Sequence, residues 1–350
     1  MELKLAFIGF GNVARAFARI LRDRSPQLAR QYDLTCRTGA IATGSHASVL
    51  SESAIDLDEA VALVERGASL KDLAGVTIAG DTAQVIKACD ADIVFETTPL
   101  NPVDGEPAAT YIRRALSRGI NVVTANKGPI AFAHRELAAL AGERGVRFRF
   151  EGTVMDGAPV FNLAEYCLPA AQVLGFCGLL NSTTNIILAG IERGHSFDES
   201  LAEAQRLGIA EANADYDVDG WDAAVKAVAL ANVLMDADAR PSDVERHGIR
   251  EVTSEDLRSA ARDGNTIRLV ARGERSGYKL RLRVAPEIIP LASPMGCARG
   301  TTNVLVINTD LMGELTVFEK DPGVEQTAYA LLSDMIRIHD DLTLQRRRAY

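Results

Sequence analysis

Asp222 and Lys226 stand four residues apart in Trp221-Asp222-Ala223-Ala224-Val225-Lys226, a spacing that puts a carboxylate and an ammonium on one helix face. The common reading of such a pair is an exposed ion bridge, with Asp222 also placed as the third residue after an Asp219 cap. The neighbours argue otherwise. From Ala223 to Leu234 the only other polar side chain is Asn232, so this helix is apolar nearly all round and is expected to be buried. A buried lysine needs a partner or a depressed pKa, and one so placed can donate or accept a proton. Just upstream, Gly208 is followed by Glu211, Asp215, Asp217 and Asp219.

A second set of residues lies at the N-terminus. Leu3 to Ile8 is apolar apart from Lys4 and is followed by Gly9-Phe10-Gly11-Asn12-Val13-Ala14, with Phe17, Ile20 and Leu21 continuing at helical spacing. Strand, Gly-x-Gly-x-x-Ala and helix make the dinucleotide-binding arrangement. The first glycine permits the turn, the second lets backbone approach a pyrophosphate, and the small third residue lets helix pack on strand. The free N–H groups of the helix then face the anion. An NAD site usually has an acid at the end of the second strand for the ribose hydroxyl. Here that end reads Ala42-Thr43-Gly44-Ser45-His46, which favours NADP over NAD, with Ser45 and His46 as candidate phosphate contacts.

The elements that must position these residues fall into two halves. The first 150 residues alternate apolar runs with amphipathic helical patterns, the mark of βαβ units and a parallel sheet. Strands are expected at Leu34 to Thr43, Asp92 to Thr98 and Asn121 to Ala125, and a helix from Pro107 to about Ser117. After Gly145 the pattern changes. Val146 to Phe150, Thr266 to Arg272 and Tyr278 to Val284 alternate with period two, which suggests a sheet with one face open to water. Helices are expected at Thr183 to Arg193 and Asp198 to Leu207, each closed by a glycine (Gly194, Gly208), and at Trp221 to Leu234. A last amphipathic helix, Glu325 to about Ile338, can return to either half.

Composition narrows the function classes. Among 350 residues, 38 Lys and Arg face 47 Asp and Glu, a balance that disfavours a phosphate backbone as partner. The only basic run, Arg346 to Arg348, reads as a frayed, solvated tail. Five scattered cysteines with no CxxC argue against disulfides and zinc and for a reducing compartment. No signal peptide is read at the start, and Leu163 to Leu180 is too interrupted for a membrane span. A cytoplasmic protein acting on a small molecule is expected. A nucleophilic cysteine is not, since Cys167 and Cys177 read as core filler.

The 208–226 segment resembles homoserine dehydrogenase, whose motif places an acid after Gly-Tyr and then Asp-Val-x-Gly-x-Asp-x-Ala-x-Lys. Val122-Val123-Thr124-Ala125-Asn126-Lys127, Glu151-Gly152-Thr153-Val154 with Gly157 and Pro159, Leu179 to Asn185, and Thr97-Thr98-Pro99 with Gly105-Glu106-Pro107 are similar to further stretches of that family, in order along the chain. The resemblance implies an α/β fold: a Rossmann-type dinucleotide-binding domain (residues 1–149 plus 320–350) and an α+β substrate and dimerisation domain (150–319), assembled as a homodimer. It implies NAD(P)-dependent hydride transfer between aspartate 4-semialdehyde and L-homoserine. Lys226 becomes the proton donor, with Lys127 as second candidate, and Asp222 the residue that orients substrate or water. Glu211 and Asp217, with Gly208 and Thr183, would bind substrate; Thr97, Lys127 and Gly323 join Gly9 to Val13 and Ser45 around the cofactor. A monovalent cation would fall to Glu151, Val154, Asp156 and Ala158. Neither a kinase segment nor a regulatory domain is expected.

Several glycines of the family pattern are replaced: Met155-Asp156 precedes Gly157, and Ser182 follows Asn181. Added Cβ atoms restrict backbone where glycine is free. Two alternatives therefore stay open: the same chemistry on another small amino or hydroxy acid, or a nucleotide-binding sensor without catalysis.

Overall fold

A computed structural model describes residues 1–277 and 279–348. The chain divides into two compact units, one of residues 1–129, 133–157 and 323–350, the other of residues 130–132 and 158–322.

The first unit is built on seven strands: β1 (Glu2–Ile8), β2 (Thr35–Ala42), β3 (Ser48–Leu50), β4 (Thr77–Ala79), β5 (Ile93–Glu96), β6 (Asn121–Thr124) and β7 (Phe148–Arg149). Their order is β4-β3-β2-β1-β5-β6-β7. β1 pairs in parallel with β2 and β5, β6 with β5 and β7, while β3 and β4 add antiparallel edges. β5 and β6 are buried along their whole length, as expected of strands covered on both faces. Phe7, Phe17 and Phe95 meet at the centre, with ring centroids 4.6 to 6.0 Å apart. The chain leaves β1 to one side and returns to β5 on the other, so the carboxyl ends of these two strands form the switch point at which open α/β sheets bind ligands. The helix Val324–Arg348 lays Ala328, Leu331, Leu332, Met335 and Ile338 into this unit's core, which settles where the last amphipathic helix returns. It runs on through Arg346, whose side chain is exposed; the side chains of Arg347 and Arg348 lie outside the described residues.

Val146 to Phe150 does not open the second sheet. Its centre is β7, the parallel edge of the first. An edge strand is covered unevenly, so its residues alternate like those of a half-exposed antiparallel strand, and period alone does not separate the two.

The second unit carries β8 (Val173–Leu179), β9 (Val244–Arg246), β10 (Asn265–Ser276), β11 (Lys279–Pro290), β12 (Asn303–Thr309) and β13 (Gly313–Glu319), in the order β13-β12-β8-β10-β11-β9. All pairings are antiparallel except β11 with β9. Tyr278, read as the start of a strand, lies outside the described residues. β8 comes from the interrupted apolar stretch: a Cβ at Gly178 would sit 2.6 Å from the Val304 carbonyl oxygen, so glycine is what lets β12 approach. The helix Trp221–Leu234 packs on β10 and β11 and is buried from Asp222 to Asn232 except at Lys226. Ser182–Glu192 and Phe197–Arg206 are the other two expected helices, and Gly194 and Gly208 follow them at φ +97° and +71°. No described helix is long and apolar enough to cross a membrane.

Candidate active site

At the switch point, Gly9 has φ +87°, and a Cβ built on it would lie 2.7 Å from the carbonyl oxygen of Thr97. The β1 and β5 loops therefore touch backbone to backbone, and the Thr97 hydroxyl fastens them by donating to the Gly9 carbonyl at 3.0 Å. Gly11 is the N-cap of the helix Asn12–Tyr32. It supplies no capping side chain, the first turn holds no acid, and a Cβ at Gly11 would meet nothing within 4 Å. Open space over uncapped N–H groups is what a dinucleotide pyrophosphate requires, and the residues fit that cofactor. Phe10 is buried edge-on against Phe7 at 5.5 Å, whereas Val13 is half-buried. Arg15, not singled out in the sequence, donates to the Phe10 carbonyl at 3.0 Å and to the Asn12 side chain at 2.7 Å and so braces the loop.

Ser45 is exposed in the loop after β2, and the His46 ring is committed through Nδ1 to the Ala68 carbonyl oxygen at 2.8 Å. His46 is thus a structural residue through that nitrogen.

Glu96, the last residue of β5, has no exposed surface. Its carboxyl accepts from the Thr98 amide at 2.8 Å and the Thr124 hydroxyl at 2.7 Å, and also from the Thr98 hydroxyl. Burial pushes its pKa up. Asn126 continues the network, donating to the Thr98 carbonyl at 3.1 Å and accepting from the Gly128 amide at 3.0 Å. Asn126 thereby caps the helix that opens at Lys127, which is half-buried. The sequence pointed to Thr97 and Lys127 but not to the buried acid joining their loops.

Glu151, Val154 and Asp156 lie in one turn of this unit, and Glu151 and Val154 are buried. Asp156 has φ +41°, a conformation Asp tolerates better than most residues, and its carboxylate accepts from the Thr327 hydroxyl at 2.8 Å. A Cβ at Gly157 would sit 2.5 Å from the Gln326 carbonyl oxygen, so this turn and the Gly323 segment are in close contact. Ala158 begins the second unit, and among the described residues no three His, Cys, Asp or Glu gather as metal ligands.

In the second unit, the Lys226 ammonium donates to the Leu180 carbonyl at 2.6 Å and lies 3.4 Å from the Asp222 carboxylate. The two side chains keep only 13% and 9% of their surface exposed, so the pair is internal, as the apolar helix implied. Asp219 is not the cap of this helix. Gly220 is, at φ +80°, and Asp219 pairs instead with Arg250 at 2.7 Å. Asn181 donates to Asp217 at 2.7 Å and to Asp222 at 3.0 Å. Burial pushes Asp217 up, and the Asp222 charge adds to that. Tyr216 stands next to it with its hydroxyl buried and, among the described residues, without a hydrogen-bond partner. Thr183 is buried and donates to the Ile209 carbonyl at 3.3 Å, which ties the segment after Gly208 to the cluster. Glu211 is exposed; its carbonyl oxygen accepts from Gln205 at 3.1 Å.

The cysteines do not form a rival centre. Cys167 is exposed, not core filler, because the segment Leu163–Cys167 carries no buried residue. Cys177 is half-buried, and burial pushes its thiol up, away from the thiolate a nucleophile needs.

Residues 9–151 match the family described as homoserine dehydrogenase, NAD binding domain, and residues 159–336 the family described as homoserine dehydrogenase. An NAD(+)-dependent homoserine dehydrogenase of Pseudomonas canavaninivorans is 38% identical over 98% of this chain and 97% of its own. A homoserine dehydrogenase of Methanocaldococcus jannaschii is 37% identical over 97% and 99%. Among solved structures, a putative homoserine dehydrogenase from Archaeoglobus fulgidus superposes with a TM-score of 0.85 at 33% identity, covering 96% of this chain and 99% of that one. A hyperthermophilic archaeal homoserine dehydrogenase in complex with NADPH does so at 0.83 and 27%, covering 97% and 98%.

Proposed function

The chain belongs to the homoserine dehydrogenase family, and from that premise we propose how its residues divide the work. The enzyme is an NAD(P)-dependent oxidoreductase that interconverts aspartate 4-semialdehyde and L-homoserine. A bound nicotinamide would supply or remove the hydride. Everything else falls to the protein.

Reduction of the aldehyde leaves negative charge on the C4 oxygen, and that oxygen must receive a proton. Lys226 donates it, and in the reverse direction takes it from the hydroxyl. Its hydrogen bond to the Leu180 carbonyl and the Asp222 carboxylate hold the ammonium in place. The internal Lys226–Asp222 pair is the observation that carries this reading. Asp222 orients Lys226 and the bound substrate, and Asp217, Thr183 and Glu211 bind the amino-acid portion, with the carboxylates receiving its ammonium. In the nucleotide unit Gly9 to Val13 take the pyrophosphate, Thr97 and Lys127 border the nicotinamide, and Ser45 stands where a 2′-phosphate would be placed. Lys127 is the second candidate for the proton. Glu151 with the Val154 and Asp156 carbonyls would hold a monovalent cation, and exchange of potassium for tetramethylammonium would then lower turnover.

A cytoplasmic homodimer completes the proposal. Five free cysteines support the reducing compartment. Exposed Leu174, Leu311 and Met312, at the end of the sheet where β8 meets the β12–β13 turn, support a self-association face, which light scattering on a sizing column tests. For the reaction, the absorbance of reduced nicotinamide is followed with homoserine and a panel of small amino and hydroxy acids. Homoserine should give the highest kcat/KM. A higher value for another acid would move the substrate assignment, and no turnover with any would favour the sensor.

A further inference from the structure

Asn181 spends every hydrogen-bonding capacity of its amide inside the Lys226 cluster. Nδ2 has two N–H groups, and each goes to a different carboxylate: Asp217 at 2.7 Å and Asp222 at 3.0 Å. Oδ1 accepts from the Thr184 amide at 2.9 Å, which makes Asn181 the cap of the helix Ser182–Glu192, and shares the one hydrogen of the Thr184 hydroxyl, at 3.0 Å, with the Asn181 backbone carbonyl at 3.1 Å. The orientation of the amide is fixed by these partners: turned over, it would set an oxygen against two carboxylates and an NH2 group against a backbone N–H. Asn181 is 6% exposed, so water does not substitute for it.

Two carboxylates held this close in a buried setting repel, and one of them tends to take up a proton. An N–H on each removes that tendency without adding charge. We propose that Asn181 is a positioning residue that holds Asp217 and Asp222 together as separate carboxylates and thereby presents Asp222 to Lys226. The proposal rests on the reading of Lys226 as proton donor given above. Serine or threonine would cap the helix but cannot reach two carboxylates with two donors. Aspartate would cap it equally well and would place a third acid in the cluster. The ionisable groups acting on Asp217 include Asp222 and Lys226, and those acting on Tyr216 include Asp217 and Asp222.

The contrast between capping and positioning supplies the test, made on the whole protein with Asn181→Asp and Asn181→Ser. Both variants keep the cap and should fold, as thermal melting checks. If Asn181 positions the carboxylates, Asn181→Asp should lower kcat/KM for homoserine at neutral pH by about 10- to 100-fold, with part of the loss recovered at alkaline pH as Asp222 gives up the proton that the third acid leads it to hold, while NADPH affinity is unchanged. Asn181→Ser should lose activity at every pH. A readout that needs no substrate is titration of the 13C-labelled Asp217 and Asp222 carboxyls, which should move upward in Asn181→Asp. Wild-type turnover and an unchanged pH profile in that variant overturn the proposal, as does an unmoved carboxyl titration. Failure of the reaction assignment reads differently: wild type would then be inactive on homoserine, while the carboxyl titration would still report on Asn181.

Discussion

Lys226→Met is the substitution that bears most directly on the proton donor. Methionine fills the lysine stem and has nothing to donate. At 3.4 Å and an effective dielectric near 20, the pair's gross attraction is about 5 kcal/mol, most of which is offset by the desolvation of two internal charges. Removing one partner of a buried pair costs about 3–5 kcal/mol; Asp222 retains the Asn181 N–H at 3.0 Å, which places this variant at the low end, near 3 kcal/mol. Loss of a general acid is worth about 10²- to 10⁴-fold, or roughly 3–5.5 kcal/mol of barrier. The two effects separate in the double variant Asp222→Asn with Lys226→Met. Neutralising both charges should restore much of the stability and none of the turnover. The assay is kcat/KM for homoserine from reduced-nicotinamide absorbance, beside cofactor titration and urea unfolding of the same samples. Turnover within about fivefold of wild type would show that Lys226 is not the donor. The same measurement on Lys127→Met then decides whether the second candidate is.

Gly9→Ala forces a Cβ against the Thr97 carbonyl at positive φ and should cost about 1–3 kcal/mol of stability. Gly11→Ala points into open space and should fold normally, yet weaken NADP binding by tenfold or more; a Gly11→Ala protein that binds like wild type would remove the pyrophosphate from that loop. With no acid at the end of β2, NADP should bind more tightly than NAD, and a calorimetric preference for NAD would refute the reading of Ser45. Because burial raises Glu96 in the folded state, the native protein retains a proton that the unfolded chain releases above its ordinary value of 4.5. That contribution to stability is present at low pH and is lost as pH rises through and above that value. Glu96→Gln should flatten this part of the stability curve, and parallel slopes for the two proteins in urea melts across pH would count against it.

The alternation of strands and helices, the Gly9 turn and the capping of helices by Gly194 and Gly208 are local properties, and the sequence by itself determined them. Each depends on which φ a residue permits or on a period that a few neighbours set. The internal position of Lys226 belongs with them, because a helix apolar on all sides has only one place to go. Short edge strands did not follow from local pattern: β7 alternates like a solvent-facing strand, and only its pairing with β6 assigns it to the first sheet. Glu96 read as one acid among 47 Asp and Glu until β6 brought Thr124 to it. Asn181 lies 36 residues before Asp217 and 41 before Asp222, too far for any periodicity to connect them. The sequence fixes which side chains have a charge or a donor to offer. Tertiary packing decides which of them lose water together, and the loss of water makes an ordinary carboxylate, amide and ammonium into a site.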